Sequence, residues 1–535
     1  MKVKVISRST ASTQRECIGD VRYEFRNLTP TYHPFHKARE YTRSVQAAKL
    51  DRMFAKPFLG VLEGGHGDGI TQTSTHRENL VQFVSGSVDG VVKVWDLPTR
   101  KCVTTYTRAH SGVVSGLALL PPHHNYSNQQ QQQRQDPTIL SCGEDGFLRL
   151  WKLTVDLLGH AQSTTASTNY GATTAAAAIT PEQLGLIQTW RHPNNKRGGS
   201  FKSLDIHWTD HNQFATASDS AVDVWDFARS SPIQSFSSAE MTGEGDTISV
   251  VRYNPVESSL LAYCAMDRGV GLHDVRTGSA LRKTILSMRC NCLQWNPMEP
   301  YYFVVGNEDY NCYSFDMRKL SAPSMIHKGH VGAVLSISWS PTGREFVSAS
   351  YDKTLRIFGH QKGTSREIYF TKRMQRVFTV NYTSDNTYII SGSDDTNLRL
   401  WKARASEKVG AQLTVREERS LQYRQALVKK HHHLPEIQKI IKSGKRRGTK
   451  FVRKQTQLQQ IQTDSKKRKL ENRIQHSKPG TVPREAERSK VVEKEVDNDD
   501  NNSQIKADKG ANSRGSSSNN NSHTARNKKR KIQKK

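Results

Sequence analysis

Histidine, serine and aspartate recur in this chain at spacings that could serve nucleophilic catalysis, and three adjacent histidines, His431, His432 and His433, could bind a metal ion. The first set is His66, Ser85 and Asp89; the second is His110, Ser141 and Asp145. Six positions after each Asp stands a tryptophan, Trp95 or Trp151. The same step joins Asp219 to Trp225 and Asp395 to Trp401. Asp267, Asp309 and Asp352 keep the step with His273, Phe315 and Phe358 in the aromatic slot. Ser precedes the Asp by four as Ser85, Ser141, Ser348 and Ser391, and His330 precedes the sixth copy. A hydrolytic set has no reason to recur seven times with its Ser and Asp in tight hairpins. The set therefore reads as a structural clasp, and no catalytic residue is expected. GGHGDG at 64–69 lacks the GK[ST] ending of a phosphate-cradling loop. The histidine triplet fails as a metal site because neighbours on a helix point about 100° apart, and the nearest cysteine is Cys312, far upstream. Neither metal nor cofactor is expected.

Successive Asp positions stand 56, 74, 48, 42, 43 and 43 residues apart, and a period just over forty marks stacked supersecondary units. Apolar stretches such as 333–339, 345–350 and 355–358 alternate with the turns SPTG and YDK, the pattern of short antiparallel strands in hairpins. A lone sheet of this kind exposes an apolar face and two edges, and seven packed radially bury the faces. The pattern resembles WD repeats, whose GH entry is present as Gly65–His66 and Gly329–His330 and as the variant Ala109–His110. In that family His, Ser, Asp and Trp form a buried hydrogen-bonded tetrad. Only the first two repeats hold all four types, so the middle repeats are expected to be held less firmly. The expected fold class is all-β: a seven-bladed WD-repeat β-propeller with an N-terminal helical segment and a basic C-terminal extension that passes from helical to disordered.

Residues 1–56 form an N-terminal extension. Its stretch 35–54 places Ala38, Tyr41, Val45, Ala48 and Met53 at roughly helical spacing, and the helix either packs on the ring or offers itself to a partner. The propeller spans 57–403, interrupted by polar inserts at 121–137 and 154–185 that are expected to be disordered surface loops. No outer strand follows Trp401, so PFLGVLE at 57–63 is expected to pair with the last repeat and close the ring. A basic helical extension covers 404–495, with one helix over 407–433, a break before Pro435 and a second helix from Pro435 to a stop at Gly444. Residues 496–535 read as a disordered basic tail. The extension has few apolar residues and is expected to order only within an assembly.

The net charge of +29 is uneven: residues 402–535 carry +22 and residues 1–401 only +7. Such a tail points to a polyanion, most often nucleic acid. The candidate phosphate contacts are Lys445, Arg446, Arg447, Lys450, Arg453 and Lys454, followed by Lys466, Lys467, Arg468 and Lys469, with Phe451 placed to stack on a base. Two KKRK runs, Lys466 to Lys469 and Lys528, Lys529, Arg530 and Lys531, also match nuclear-localisation signals. Seven cysteines without a CxxC give no disulfide framework and suit a reducing compartment, nuclear or cytosolic. No segment has the length and apolarity of a membrane span, and no membrane partner is expected.

HPFHKAREYTRSVQAAKLDRMFAKPF at 33–58, the seven repeats, HLPEI at 433–437 and RIQHSKPG at 473–480 together resemble one family, the WD-repeat proteins with a SOF domain, a component of the small-subunit processome. The resemblance covers roughly residues 1–495. It implies a non-catalytic scaffold in the nucleus and nucleolus, associated with pre-rRNA, the box C/D small nucleolar RNA particle and other processome proteins. The propeller would dock proteins while the basic extension follows RNA. Some members also resemble substrate receptors of cullin-RING ubiquitin ligases, whose adaptor contact is a WDxR at the end of a blade. Here Asp274 and Arg276, and Asp316 and Arg318, keep the Asp and Arg but follow His273 and Phe315 instead of Trp.

Overall fold

Each repeat folds as an antiparallel sheet of four strands, and in six sheets these follow one another in chain order. These sheets, blades 1 to 6, span residues 70–106, 114–191, 201–237, 248–286, 290–327 and 334–369. The innermost strand of each blade touches those of its two neighbours, and Val377–Tyr382 of blade 7 touches Ile70–Thr75 of blade 1, so the ring is closed. The computed structural model describes residues 29, 32, 34–53, 55–75, 80–120, 138–153, 185–192, 199–210, 212–219, 221–237, 247–407, 409–410, 413–443, 448–478, 488 and 490–497. The inserts at 121–137 and 154–184 lie outside them, as do Lys445, Arg446, Arg447, Lys528, Lys529, Arg530 and Lys531.

Blade 7 draws three strands from the end of the repeat region and its outer strand, Phe58–Val61, from the start of the chain. Phe58 lies opposite Trp401 and meets it edge-on, with ring centroids 5.2 Å apart. Leu62 N donates to Leu398 O at 3.1 Å, and Lys402 N to Pro57 O at 2.8 Å. Leu62 is buried among Ile70, Phe83 and Trp95 of blade 1 and Ile390, Leu398 and Leu400 of blade 7. The N-terminal strand thus fills the seam between the first and last blades as well as completing a sheet.

Two local features repeat in the blades. Every innermost strand carries a register irregularity one residue after its start, from Ile70/Gln72 in blade 1 to Val377/Thr379 in blade 7. An extra residue there increases twist, which radial packing of flat sheets would lack. The residue after the hairpin Asp is left-handed in six blades: Gly90, Gly146, Arg268, Tyr310, Lys353 and Thr396. At Gly90 a β-carbon would lie 2.1 Å from the His110 carbonyl oxygen, so glycine is required there.

Antiparallel alternation puts the hairpins between second and third strands on one face with the inter-blade loops, here the hairpin face. The remaining turns lie on the opposite face. The innermost strands end there around a central cavity of about 450 Å³ that includes Trp208, Trp295, Trp339 and Arg252. Trp339 Nε1 donates to Gln294 O at 3.2 Å and Arg252 to Leu204 O at 2.7 Å, so these polar groups tie blades to one another.

Among the described residues four helices flank the ring: α1 (His36–Met53), α2 (Val415–Lys430), α3 (Pro435–Ser443) and α4 (Lys450–His476). Helix α2 is shorter than expected from 407–433 because Gly410 is left-handed, and the helix starts only at Thr414, whose side chain accepts from Glu417 N. Helix α1 buries Ser44, Ala47 and Ala48 and packs against α2 and α3, which bury Leu427 and Ile437. Lys430 Nζ lies 2.8 Å from Glu40 Oε2, Arg52 donates to Ile441 O at 2.8 Å, and the Tyr41 hydroxyl bonds Glu436. The expected alternatives are packing on the ring or presentation to a partner; the helix instead packs against the C-terminal helices.

The extension then returns to the ring. Gly448 sits between Val452 and Thr354 of the blade 6 hairpin, and a β-carbon there would be 3.9 Å from the Thr354 methyl. Beyond α4, Val492–Asp497 pairs as a fifth strand outside Ser279–Leu286 of blade 4. Val491 is buried in the core shared by blades 4 and 5. The extension's apolar anchors are few: Val491 lies in the ring's core, and Val452 is buried at the start of α4. Among the described residues no helix is long and apolar enough to cross a membrane.

Candidate nucleic-acid interface

The recurring His, Ser, Asp and Trp come together fully in blade 2. His110 Nδ1 lies 3.0 Å from Asp145 Oδ1 and its Nε2 lies 2.8 Å from Ser141 Oγ, which accepts from Trp151 Nε1 at 2.9 Å. Blade 6 repeats this with Phe358 in the aromatic slot: His330 lies 3.0 Å from Asp352 and 2.7 Å from Ser348. Burial lowers the pKa values of both histidines. Burial alone would raise the two carboxyls, but the histidine and arginine contacts prevail, holding Asp145 well below the usual range and Asp352 at about 2. The imidazole is thus neutral between an ionised Asp and a buried Ser. This is a satisfied internal network with nothing presented to a substrate.

The other copies depart from the pattern. In blade 1, His66, Ser85 and Trp95 join at 2.6 and 2.7 Å, but Asp89 is exposed and turns to Ser87 and Val91 N. In blade 7, Trp401 donates to Ser391 at 2.8 Å, and Asp395 pairs with Arg399 where no His is present. The assignment of Asp219 as a tetrad member is wrong. Trp225 pairs with Phe214 eleven residues back, whereas Trp95 pairs with Phe83 twelve back, so the blade 3 hairpin is one residue shorter. Thr216 takes the serine role, accepting from Trp225 Nε1 at 2.9 Å, and Asp219 bonds Ser200 at the surface. In blades 4 and 5 the carboxylates engage Lys283 and Tyr313.

Sequence reading missed a cation four residues after the Asp: Lys93, Arg149, Arg356 and Arg399. Across the hairpin Arg149 reaches Asp145 at 3.0 Å and Arg399 reaches Asp395 at 2.9 Å, while Lys93 holds the carbonyls of Gly64 and Gly65 at 2.8 Å. The Asp-x-x-x-Arg/Lys spacing was the available signal.

On the opposite face, the turns of blades 4 and 5 carry the candidate adaptor residues. Arg276 is 79% exposed, 3.8 Å from Asp274. Arg318 is bonded twice to Asp316, at 3.0 and 2.8 Å, and lies over the Tyr301 ring at 4.5 Å. Arg282 donates to the Arg318 carbonyl at 2.8 Å, tying the second turn to blade 4.

The candidate RNA residues that are described, Lys450, Arg453, Lys454, Lys466, Lys467, Arg468 and Lys469, all lie on α4. That helix buries only Val452 and runs about 40 Å at 1.5 Å per residue. Lys466, Lys469 and Arg473 fall on one side with Phe451 and Leu458, so an apolar first half and a cationic second half share a face. His431 is the C-cap of α2, facing Glu40 at 3.9 Å. Among the described residues no group of His, Cys, Asp and Glu could hold a metal ion.

Ring, clasp and turns define a WD-repeat propeller. Residues 57–96, 100–152, 321–359 and 370–402 match the WD domain, G-beta repeat, and 403–492 match the Sof1-like domain. Blades 3 and 4 and the first three strands of blade 5 lie outside the matched segments, and all three blades lack the tetrad. Similar proteins include DDB1- and CUL4-associated factor 13 of Danio rerio, 41% identical over 497 residues that cover 93% of this chain and 100% of the relative. The Homo sapiens protein of that name is 41% identical over 492 residues, 92% and 99% of the two chains. Protein SOF1 of Saccharomyces cerevisiae is 37% identical over 498 residues, 92% and 94%. The chain belongs to the WD-repeat proteins with a SOF domain, a family of ribosome-biogenesis factors.

Proposed function

We propose that this protein is a non-catalytic scaffold of the small-subunit processome, acting in the nucleolus with the box C/D guide particle in pre-rRNA processing and 40S subunit formation. The observation that carries this reading is a cationic helical extension mounted on a propeller, in a chain alignable with Protein SOF1 over 92% of its length. A polyanion contact on the extension leaves propeller surface available for proteins. Ultraviolet crosslinking in cells, with sequencing of the RNA and mapping of the attached peptides, tests it. Small-subunit precursor RNA or its guide RNA joined to peptides within 429–480 is expected. Absence of RNA, with cytoplasmic staining, would refute it.

A second role, as substrate receptor of a cullin-RING ligase, is favoured by the relatives' name and by the exposed Arg276 and Arg318 on adjacent blades. Arg276→Glu with Arg318→Glu should release a co-purified cullin adaptor. Unchanged adaptor recovery would exclude these turns as its contact.

A further inference from the structure

Where α4 leaves the ring, cations from three separate stretches of chain converge. Lys353 stands in the blade 6 hairpin, Lys372, Arg373 and Arg376 in the loop between blades 6 and 7, and Lys450, Arg453 and Lys454 at the start of α4. The stretches are joined by contacts: Lys353 bonds the Gln375 side chain, Arg376 lies 4.3 Å from the Tyr351 ring centroid, and Gly448 lies against the Thr354 methyl. Among the described residues, none of these seven cations makes an ion pair. Neither 371–376 nor 448–463 contains an acidic residue. Of the hairpin carboxylates beside them, Asp352 is engaged by His330 and Thr354 and Asp395 by Arg399, which leaves Asp394, whose N donates to the Arg376 carbonyl at 2.9 Å, as one negative charge against seven positive ones. Uncompensated like charges repel, and a polyanion relieves them. The positive end of the α4 dipole adds to the same field.

Two aromatic rings stand in this cationic field, Tyr351 at 44% exposed and Phe451 at 64%. Phosphates answer the cations, but only unpaired bases offer faces to stack on the rings and on the Arg376 guanidinium. We infer that the hairpin face of blades 6 and 7 and the root of α4 form one platform for single-stranded RNA, with Tyr351, Arg376 and Phe451 as stacking groups and Lys353, Arg373, Lys450, Arg453 and Lys454 on the phosphates. This rests on the RNA-scaffold reading and moves part of the contact from the extension onto the propeller.

The test uses the full chain, a fluorescein-labelled oligouridylate strand and a duplex of equal length, read by anisotropy. Tyr351→Ala and Phe451→Ala should each weaken single-strand binding about tenfold, the scale of one stacked base. Tyr351→Phe should retain it, and duplex binding should not respond to the aromatic changes. Circular dichroism melting confirms that the variants are folded. Wild-type-like binding by both alanine variants and by Arg376→Glu, with loss only on reversal of Lys466 to Lys469, would overturn the platform and leave the scaffold reading intact. No binding by the unaltered chain would overturn both.

Discussion

Cutting Leu62 back to alanine should open the ring at one seam. Leu62 is 2% exposed and fills the space between blades 1 and 7, whereas its strand neighbours Phe58 and Val61 are 39% and 41% exposed. The N-terminal strand has only four residues, so one buried side chain supplies much of its hold. Removing a buried leucine costs roughly 2–5 kcal/mol once the residual cavity is included. The flanking strands belong to different blades and cannot collapse freely, so about 3 kcal/mol is expected. If strand release is local, that loss raises its opening constant about 100-fold at about 1.4 kcal/mol per factor of ten. Hydrogen exchange resolved by mass spectrometry reads this directly. Amides of 398–402 that face the N-terminal strand, such as Lys402 N on the Pro57 carbonyl, should exchange about 100-fold faster, while those of blade 4 at 260–265 stay protected. Val61→Ala should cost less than about 1 kcal/mol. Equal, small effects of the two variants, or uniform acceleration around the ring, would refute the clasp argument.

The two complete-looking tetrads should differ sharply. Asp145→Ala strands His110 and Arg149 and should cost roughly 3 kcal/mol, whereas Asp89→Ala, at the surface, should stay within about 0.5 kcal/mol; urea titration checks both. Acid should loosen the ring before neutral pH does. Burial lowers His66 and His327 from 6.5 to about 4, so the unfolded chain takes up protons that the folded one refuses. Above pH 6.5 the two add no penalty, and as pH falls towards 4 a cost of up to about 3 kcal/mol each builds up, measurable as a falling melting temperature over that window. Alanine at Lys466, Lys467, Arg468 and Lys469 should lower the slope of log affinity for single-stranded RNA against log salt by up to about 3; an unchanged slope would remove these residues from the contact.

The hairpin turns show how far spacing carries. Asp145 and Asp352 are found by counting because the turn, the left-handed residue after Asp and the aromatic six positions on are local features of one hairpin. Asp219 satisfies the same count and fails, because a one-residue deletion changes register without changing the Asp-to-Trp interval. Asp89 satisfies every count and still faces solvent, since its orientation depends on Ser87 and Val91 rather than on spacing. The cations of α4 are plain in the sequence, but their meeting with Tyr351 and Arg376 is not, because it joins residues about a hundred positions apart.

By itself the sequence determined the seven repeats, the sheet composition, the cationic extension and the family, all of which rest on residue type at short separation. Periodicity and turn chemistry are local, so they survive in one dimension. Tertiary structure alone decided that α1 packs on α2 and α3, that Val491 and the strand after it return to blade 4, and that the α4 root abuts the blade 6 hairpin. These pairings depend on which buried surfaces remain uncovered once the ring has closed, and no spacing in the chain records that.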